Sequence, residues 1–147
     1  MKKREDNIFL SAGWCAFFSS LFVAGAVFLD QYTKLLAAAH LKGKEALSLI
    51  PGILELKYLY PENRGIAFGM FQGSTAFFAV VSMVLFALII WVFVRIPKKP
   101  YYVPFMAVCV LMLSGALGNM IAHLFRGYVI DFIYISLIDF PVFNMAD

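Results

Sequence analysis

The chain has 147 residues, of which 63% are hydrophobic and only 14% charged, against roughly 25% charge in ordinary soluble domains. This deficit, together with long apolar runs, predicts a membrane protein. A net charge of +3 with no basic stripe gives no footprint for nucleic acid.

Three stretches reach the roughly 20 apolar residues that a bilayer-spanning helix needs. The first covers about residues 8–29, behind the charged segment MKKRED. It is longer than the roughly 7–15 apolar residues of a signal peptide, and no A-x-A site closes it, so a retained helix is expected. Cys15 follows Trp14, where a lipid-attachment site would want a small residue. Cys15 and Cys109 both lie inside apolar runs without metal-ligand spacing, and read as small hydrophobes. At the outer end of this run, DQYTK sets Asp30 and Lys34 one helical turn apart, as an i,i+4 ion pair.

Residues 30–74 form an outer loop. Within it ILELKYLY alternates, with Glu55 and Lys57 on one face and Leu54, Leu56 and Tyr58 on the other, which predicts a strand. IPG before it and YPENRG after it are turn signals. The expectation is a small sheet on the outer membrane surface, its apolar face toward lipid or the helices.

The second run covers about 75–96 and the third about 102–125. In the third, SGALGNMIAHLFRG places Gly115, Gly118, Asn119, Ala122 and Arg126 on one helical face. Small residues permit close helix contact, and an Asn there can hydrogen-bond across it. His123 is a lone histidine with no partner at metal-ligand spacing, and there is no G-x-S-x-G elbow. Counted over three spans, basic residues tie at six a side: Lys2, Lys3, Arg4, Arg95, Lys98 and Lys99 against Lys34, Lys42, Lys44, Lys57, Arg64 and Arg126. The tight clusters beside helix ends decide, and make the N-terminus and RIPKKP cytoplasmic.

The tail, VIDFIYISLIDFPVFNMAD, carries Asp131, Asp139 and Asp147 in an otherwise apolar outer segment. Two neighbouring carboxylates holding one proton make a general acid/base pair. Asp131 and Asp147 are far enough apart for the chain to loop back between them. Asp139, two residues before Pro141, suits a loop cap. On these residues alone a structural role for all three stays open.

DQYTK, NRGIAFG (63–69), GALGN (115–119), GYVIDF (127–132) and FPVFNMAD (140–147) resemble, in order and spacing, the bacterial lipoprotein signal peptidase (signal peptidase II) family. The resemblance covers roughly residues 22–147. It implies a membrane all-α bundle with a small extracytoplasmic β-sheet, forming one polytopic domain over 1–147. Three transmembrane helices belong to this chain and four to the family, with a catalytic outer loop at 126–147. It implies an aspartic endopeptidase of the bacterial cytoplasmic membrane, active at the outer face, without metal or cofactor. Such an enzyme cleaves prolipoproteins before a diacylglyceryl-modified cysteine and is inhibited by globomycin-type peptides. The family's catalytic aspartates fall on Asp131 and Asp147. Its substrate-binding or supporting positions fall on Asp30, Lys34, Asn63, Gly65, Gly115, Asn119 and Asn144.

Two departures qualify the resemblance. Where the family has Asp-Arg, this chain has Ala122 and His123, so His123 is expected to replace the arginine in part, with Arg126 nearly one turn on as a further candidate. The family also continues past its last aspartate into a fourth helix, which implies a chain truncated before that helix. The alternative reading is a catalytically impaired homologue that binds lipoprotein signal segments without cutting them.

Overall fold

The computed structural model describes residues 11–64 and 75–147. The N-terminal cluster of Lys2, Lys3 and Arg4, and the candidate Gly65, lie outside the described residues. Among the described residues three α-helices are present: α1 (Ala12–His40), α2 (Thr75–Arg95) and α3 (Val103–Arg126). Ser11 caps α1 by accepting the Trp14 amide, and α3 packs against both other helices. Many large side chains on the helices point outward, including Phe17, Phe28, Trp91 and Phe105. A protein whose surrounding solvent is lipid tolerates this, because lipid tails are as apolar as the side chains themselves. Among the described residues, α1 and α3 are the helices long and apolar enough to cross a membrane.

Helix α1 runs well past Leu29, where the first span was expected to close. Its last turns form a docking face. Asp30, Lys34 and Ala37 are buried, and Ala37 packs with Tyr58, Ile130 and Phe132 in a small core, with Leu41 and Leu56 around it. The polar residues that resemble a helix end are instead covered on the inner side of a continuing helix.

That core joins α1 to a three-stranded antiparallel sheet of β1 (Leu47–Ile50), β2 (Leu54–Leu56) and β3 (Ile133–Ile135), in the order β1-β2-β3. Gly52, at φ 71°, turns the β1–β2 hairpin in a conformation that suits glycine. The alternation in ILELKYLY puts Tyr58 against the helix core and leaves Lys57 exposed. Pairing continues beyond the strands proper: the amides of Lys57 and Leu59 donate to the carbonyls of Phe132 and Asp131 at 2.9 and 3.0 Å.

Two further constraints place the tail. Gly127, at φ 76°, ends α3 in the left-handed conformation, its N–H returning to the His123 carbonyl at 3.0 Å. The chain then pairs back on itself after a 3₁₀ turn over Ser136–Ile138, closed by Asp139 at φ 50°. Asp139 thus acts as the cap expected of it, and also accepts the Tyr134 hydroxyl at 2.7 Å. The returning Phe143 exchanges backbone bonds with Ile133 at 2.8 and 3.0 Å. Asn144 is thereby carried to the level of Asp131.

Candidate active site

Asp131 is buried at 3% exposure, and its backbone is pinned to the sheet by Leu59. Its Oδ2 accepts from Asn63 Nδ2 at 2.9 Å and its Oδ1 from Asn144 Nδ2 at 2.7 Å. Asp147 Oδ2 accepts from the same Asn144 Nδ2 at 2.8 Å, and from the Asn144 backbone N–H at 3.1 Å. One amide nitrogen therefore touches both carboxylates, which cannot be further apart than those two bonds laid end to end. The orientation of the amide is fixed from its other side, where Asn144 Oδ1 accepts the Ala146 N–H at 2.8 Å.

The remaining oxygen of Asp147, Oδ1, accepts from Asn119 Nδ2 at 2.8 Å. Behind Asn119 stands Lys34, fully buried, donating to Asn119 Oδ1 and to Asp30 Oδ2, both at 2.8 Å. The resulting chain of hydrogen bonds runs from Asn63 through both carboxylates to the buried ion pair on α1.

Glycines on α3 make room for this arrangement. A Cβ on Gly115 would overlap the carbonyl oxygen of Ala146, and one on Gly118 would stand 2.7 Å from Asp30 Oδ2. The small face read from the sequence thus admits the tail backbone and the Asp30 carboxylate.

The sequence candidates Asp30, Lys34, Asn63, Gly115, Asn119, Asp131, Asn144 and Asp147 converge on this one place. His123 is buried within electrostatic reach of Lys34 and Asp131. Arg126, the other candidate for the missing arginine, donates to Gln31 Oε1 at 3.1 Å and lies at the far end of the network from the carboxylates. Gln31 and Gly118 were not among the expected site residues. Gln31 Nε2 holds Asp30 Oδ2 at 2.9 Å and the Gly118 carbonyl at 2.8 Å. The signal for Gln31 was its place inside the DQYTK motif, and for Gly118 its place in GALGN and on the small-residue face of the third run.

Two openings reach the carboxylates. A cleft of about 620 Å³ between the three helices, lined by Phe22, Leu85, Leu88 and Met112 among others, ends at Asp30, Gly115 and Asp147. On the sheet side, a cavity of about 460 Å³ bordered by Lys57, Tyr134 and Asp139 opens onto Asn63 and Asp131. The site therefore faces an apolar cleft on one side and a mixed, more polar cavity on the other. Burial pushes the Asp131 carboxyl above the usual carboxylate range. The Asn144 and Asn63 bonds oppose that shift, the Asp147 charge adds to it, and Lys34 opposes it.

The sequence profile of the signal peptidase II family matches residues 22–147. A lipoprotein signal peptidase of Caldanaerobacter subterraneus is 42% identical over 126 residues, covering 85% of this chain and 82% of that protein. One from Parasynechococcus marenigrum is 43% identical over 127 residues, covering 85% and 77%. Two solved structures, each described as a bacterial membrane enzyme determined by the in meso method, superimpose with TM-scores of 0.79 and 0.76. They share 29% and 30% identity and cover 88% of this chain, with 78% and 83% of their own lengths covered.

A Gly115→Ala substitution tests the geometry with a prolipoprotein as substrate. Alanine favours the helix by about 1 kcal/mol over glycine, so α3 itself is not weakened. The added methyl instead displaces Ala146 and with it Asp147. Cleavage should fall about a hundredfold, the scale expected for a misplacement of about 1 Å, while the far-ultraviolet circular dichroism stays that of the wild type. Undiminished cleavage would mean that the close approach of Ala146 does not matter.

Proposed function

The chain belongs to the signal peptidase II family, and from that premise we propose that Asp131 and Asp147 are its catalytic pair. The family fixes the activity: the protein is a membrane protease that removes signal peptides from prolipoproteins. In our reading the substrate cysteine already carries diacylglycerol, and cleavage falls immediately before it. The observation that carries the assignment is the shared Asn144 nitrogen, which holds two carboxylates close enough to compete for one proton.

Two unit charges roughly 5 Å apart repel by about 3 kcal/mol at an effective dielectric of about 20. The pair therefore relieves itself by keeping one proton. A water between the carboxylates loses a proton to the ionised member while the protonated member hydrogen-bonds the scissile carbonyl. No metal or nucleophilic side chain is required.

The apolar cleft suits the signal segment, and the more polar cavity on the sheet side suits the mature chain beyond the cysteine. Residues 75–95 serve as a further span, giving three in this chain. The N-terminus and the turn at Lys98 and Lys99 face the cytoplasm, and the site opens at the outer face of the bacterial inner membrane. Lipids surround the helices, and a globomycin-type peptide would occupy the cleft. Asn63, Asn119 and Asn144 hold the carboxylates, the family resemblance gives Gly65 a supporting role, and His123 takes over part of the role of the family's arginine.

Replacing either carboxylate by its amide tests the pair. Asp131→Asn and Asp147→Asn should each lower prolipoprotein cleavage in a gel-shift assay by a factor of at least about 10³, with circular dichroism unchanged. Full activity in either variant would sink the dyad.

The pH dependence follows from the shared proton. Asp131 holds its proton to higher pH than a free aspartate, whose pKa is about 3.9. Activity needs one proton on the pair, so the alkaline limb of the pH–rate profile should lie above the ordinary carboxylate range. The acidic limb appears where the second carboxylate protonates, and both apparent values belong to the pair. EDTA should leave the rate unchanged. A profile flat from acid to alkaline pH, or inhibition by EDTA, would contradict this chemistry.

A further inference from the structure

The two carboxylates are not equivalent. Asp131 is buried on the sheet side and receives N–H donors from Asn63 and Asn144. Asp147 receives three: Asn119 Nδ2, Asn144 Nδ2 and the Asn144 backbone N–H. One of the three is connected to a charge. An ammonium can only donate, so Lys34 must meet Asn119 at its carbonyl end, which turns the amide N–H toward Asp147. A cation bonded to the oxygen of an amide polarises it, and polarised donors bind an ionised acceptor more strongly.

The relay has a fixed direction because its far end is fixed. Lys34 is held at 2.8 Å by Asp30, and Asp30 is held by Gln31, which is in turn held by Arg126. The Asp30–Lys34 pair is neutral overall but oriented, with its positive end toward Asn119. Asp131 accepts from the side-chain amides of Asn63 and Asn144.

We propose that Lys34, acting through Asn119, makes Asp147 the ionised carboxylate of the resting enzyme and hence the base, leaving Asp131 as the acid. Lys34 is in this role a positioning residue and does not touch the substrate. The assignment rests on the dyad reading above and completes its proton balance. Asp147 takes a proton from water as the water oxygen bonds to the scissile carbonyl carbon. The proton of Asp131 passes to the carbonyl oxygen, giving a gem-diol. Asp147 then returns its proton to the amide nitrogen as the carbon–nitrogen bond breaks, and one diol hydroxyl returns a proton to Asp131. The products are a carboxylic acid and an amine, and both aspartates are restored.

The charged groups around Asp147 are few. Helix α1 presents Lys34, with Asp30 behind it, and the lead into β3 presents Asp131, while His123 on helix α3 faces Lys34 and Asp131. The α2 residues lining the cleft, Leu85, Leu88 and Ile89, are apolar. Removing the lysine charge therefore removes the cation that faces Asp147 through a hydrogen-bonded path.

The test is the pH–rate profile of the full chain in proteoliposomes, for wild type, Lys34→Gln and Asn119→Ala. Each variant should move the acidic limb upward by about one pH unit, because the base then protonates more readily, and the alkaline limb should move less. A uniform loss of kcat with an unmoved acidic limb would show that Lys34 is only structural and overturn the assignment. Absence of two limbs in the wild type would instead defeat the dyad itself, so the two failures are distinguishable. Carbon-13 NMR of aspartate-labelled wild type, assigned with Asp131→Asn and Asp147→Asn, needs no folded Lys34 variant. Asp147 should titrate below Asp131, and the reverse order would overturn the proposal.

Discussion

The side-chain amide of Asn144 has one nitrogen, and that nitrogen donates to two carboxylates at 2.7 and 2.8 Å. Like charges so close would separate if nothing held them. Here the donor that holds them is itself held, through its oxygen, by the Ala146 N–H. Most of what surrounds the site keeps this one contact in place. The returning chain must bring Asn144 level with Asp131, which the Phe143–Ile133 pairing does. The last residues must pass close to α3, which only a residue without a Cβ at position 115 permits.

The membrane helices serve the site in a second way, by burying an ion pair. A buried pair is weak evidence for stability, because the desolvation of both ions offsets much of their attraction. Lys34 and Asp30 make better sense as a fixed electrostatic element: fully covered, oriented by Gln31, and joined to Asp147 by one amide. Small residues on α3 let that element stand directly behind the carboxylates. Arg126 closes the far end of the same network, through Gln31, away from the chemistry.

Much of this arrangement was legible in the sequence, for identifiable reasons. The period of two in ILELKYLY located β2 and the buried side of Tyr58. The spacing of Gly115, Gly118 and Asn119 located the helix face that receives the tail. Asp30 and Lys34 were readable as a pair from their separation by one turn, but their polarity suggested a helix end where α1 continues to His40. Strands β1 and β3 are only four and three residues long, too short for alternation to separate them from the apolar tail and loop around them. The bridging role of Asn144 depends on a chain reversal across the tail and on which way one amide points, and neither leaves a mark in local pattern. Gln31 was hidden for a related reason: its partners Gly118 and Arg126 are distant in sequence and meet it only when α1 and α3 pack.

The central claim is that one amide nitrogen couples the two carboxylates into a single acid/base unit. The most direct test is the prolipoprotein cleavage rate of Asn144→Leu, which keeps a similar side-chain volume, both aspartates and the backbone donor at position 144, but removes the bridging N–H together with the Oδ1 that anchors it to Ala146. The account predicts a loss approaching that of removing an aspartate, at least about a hundredfold. Cleavage at the wild-type rate with wild-type pH limbs would contradict it.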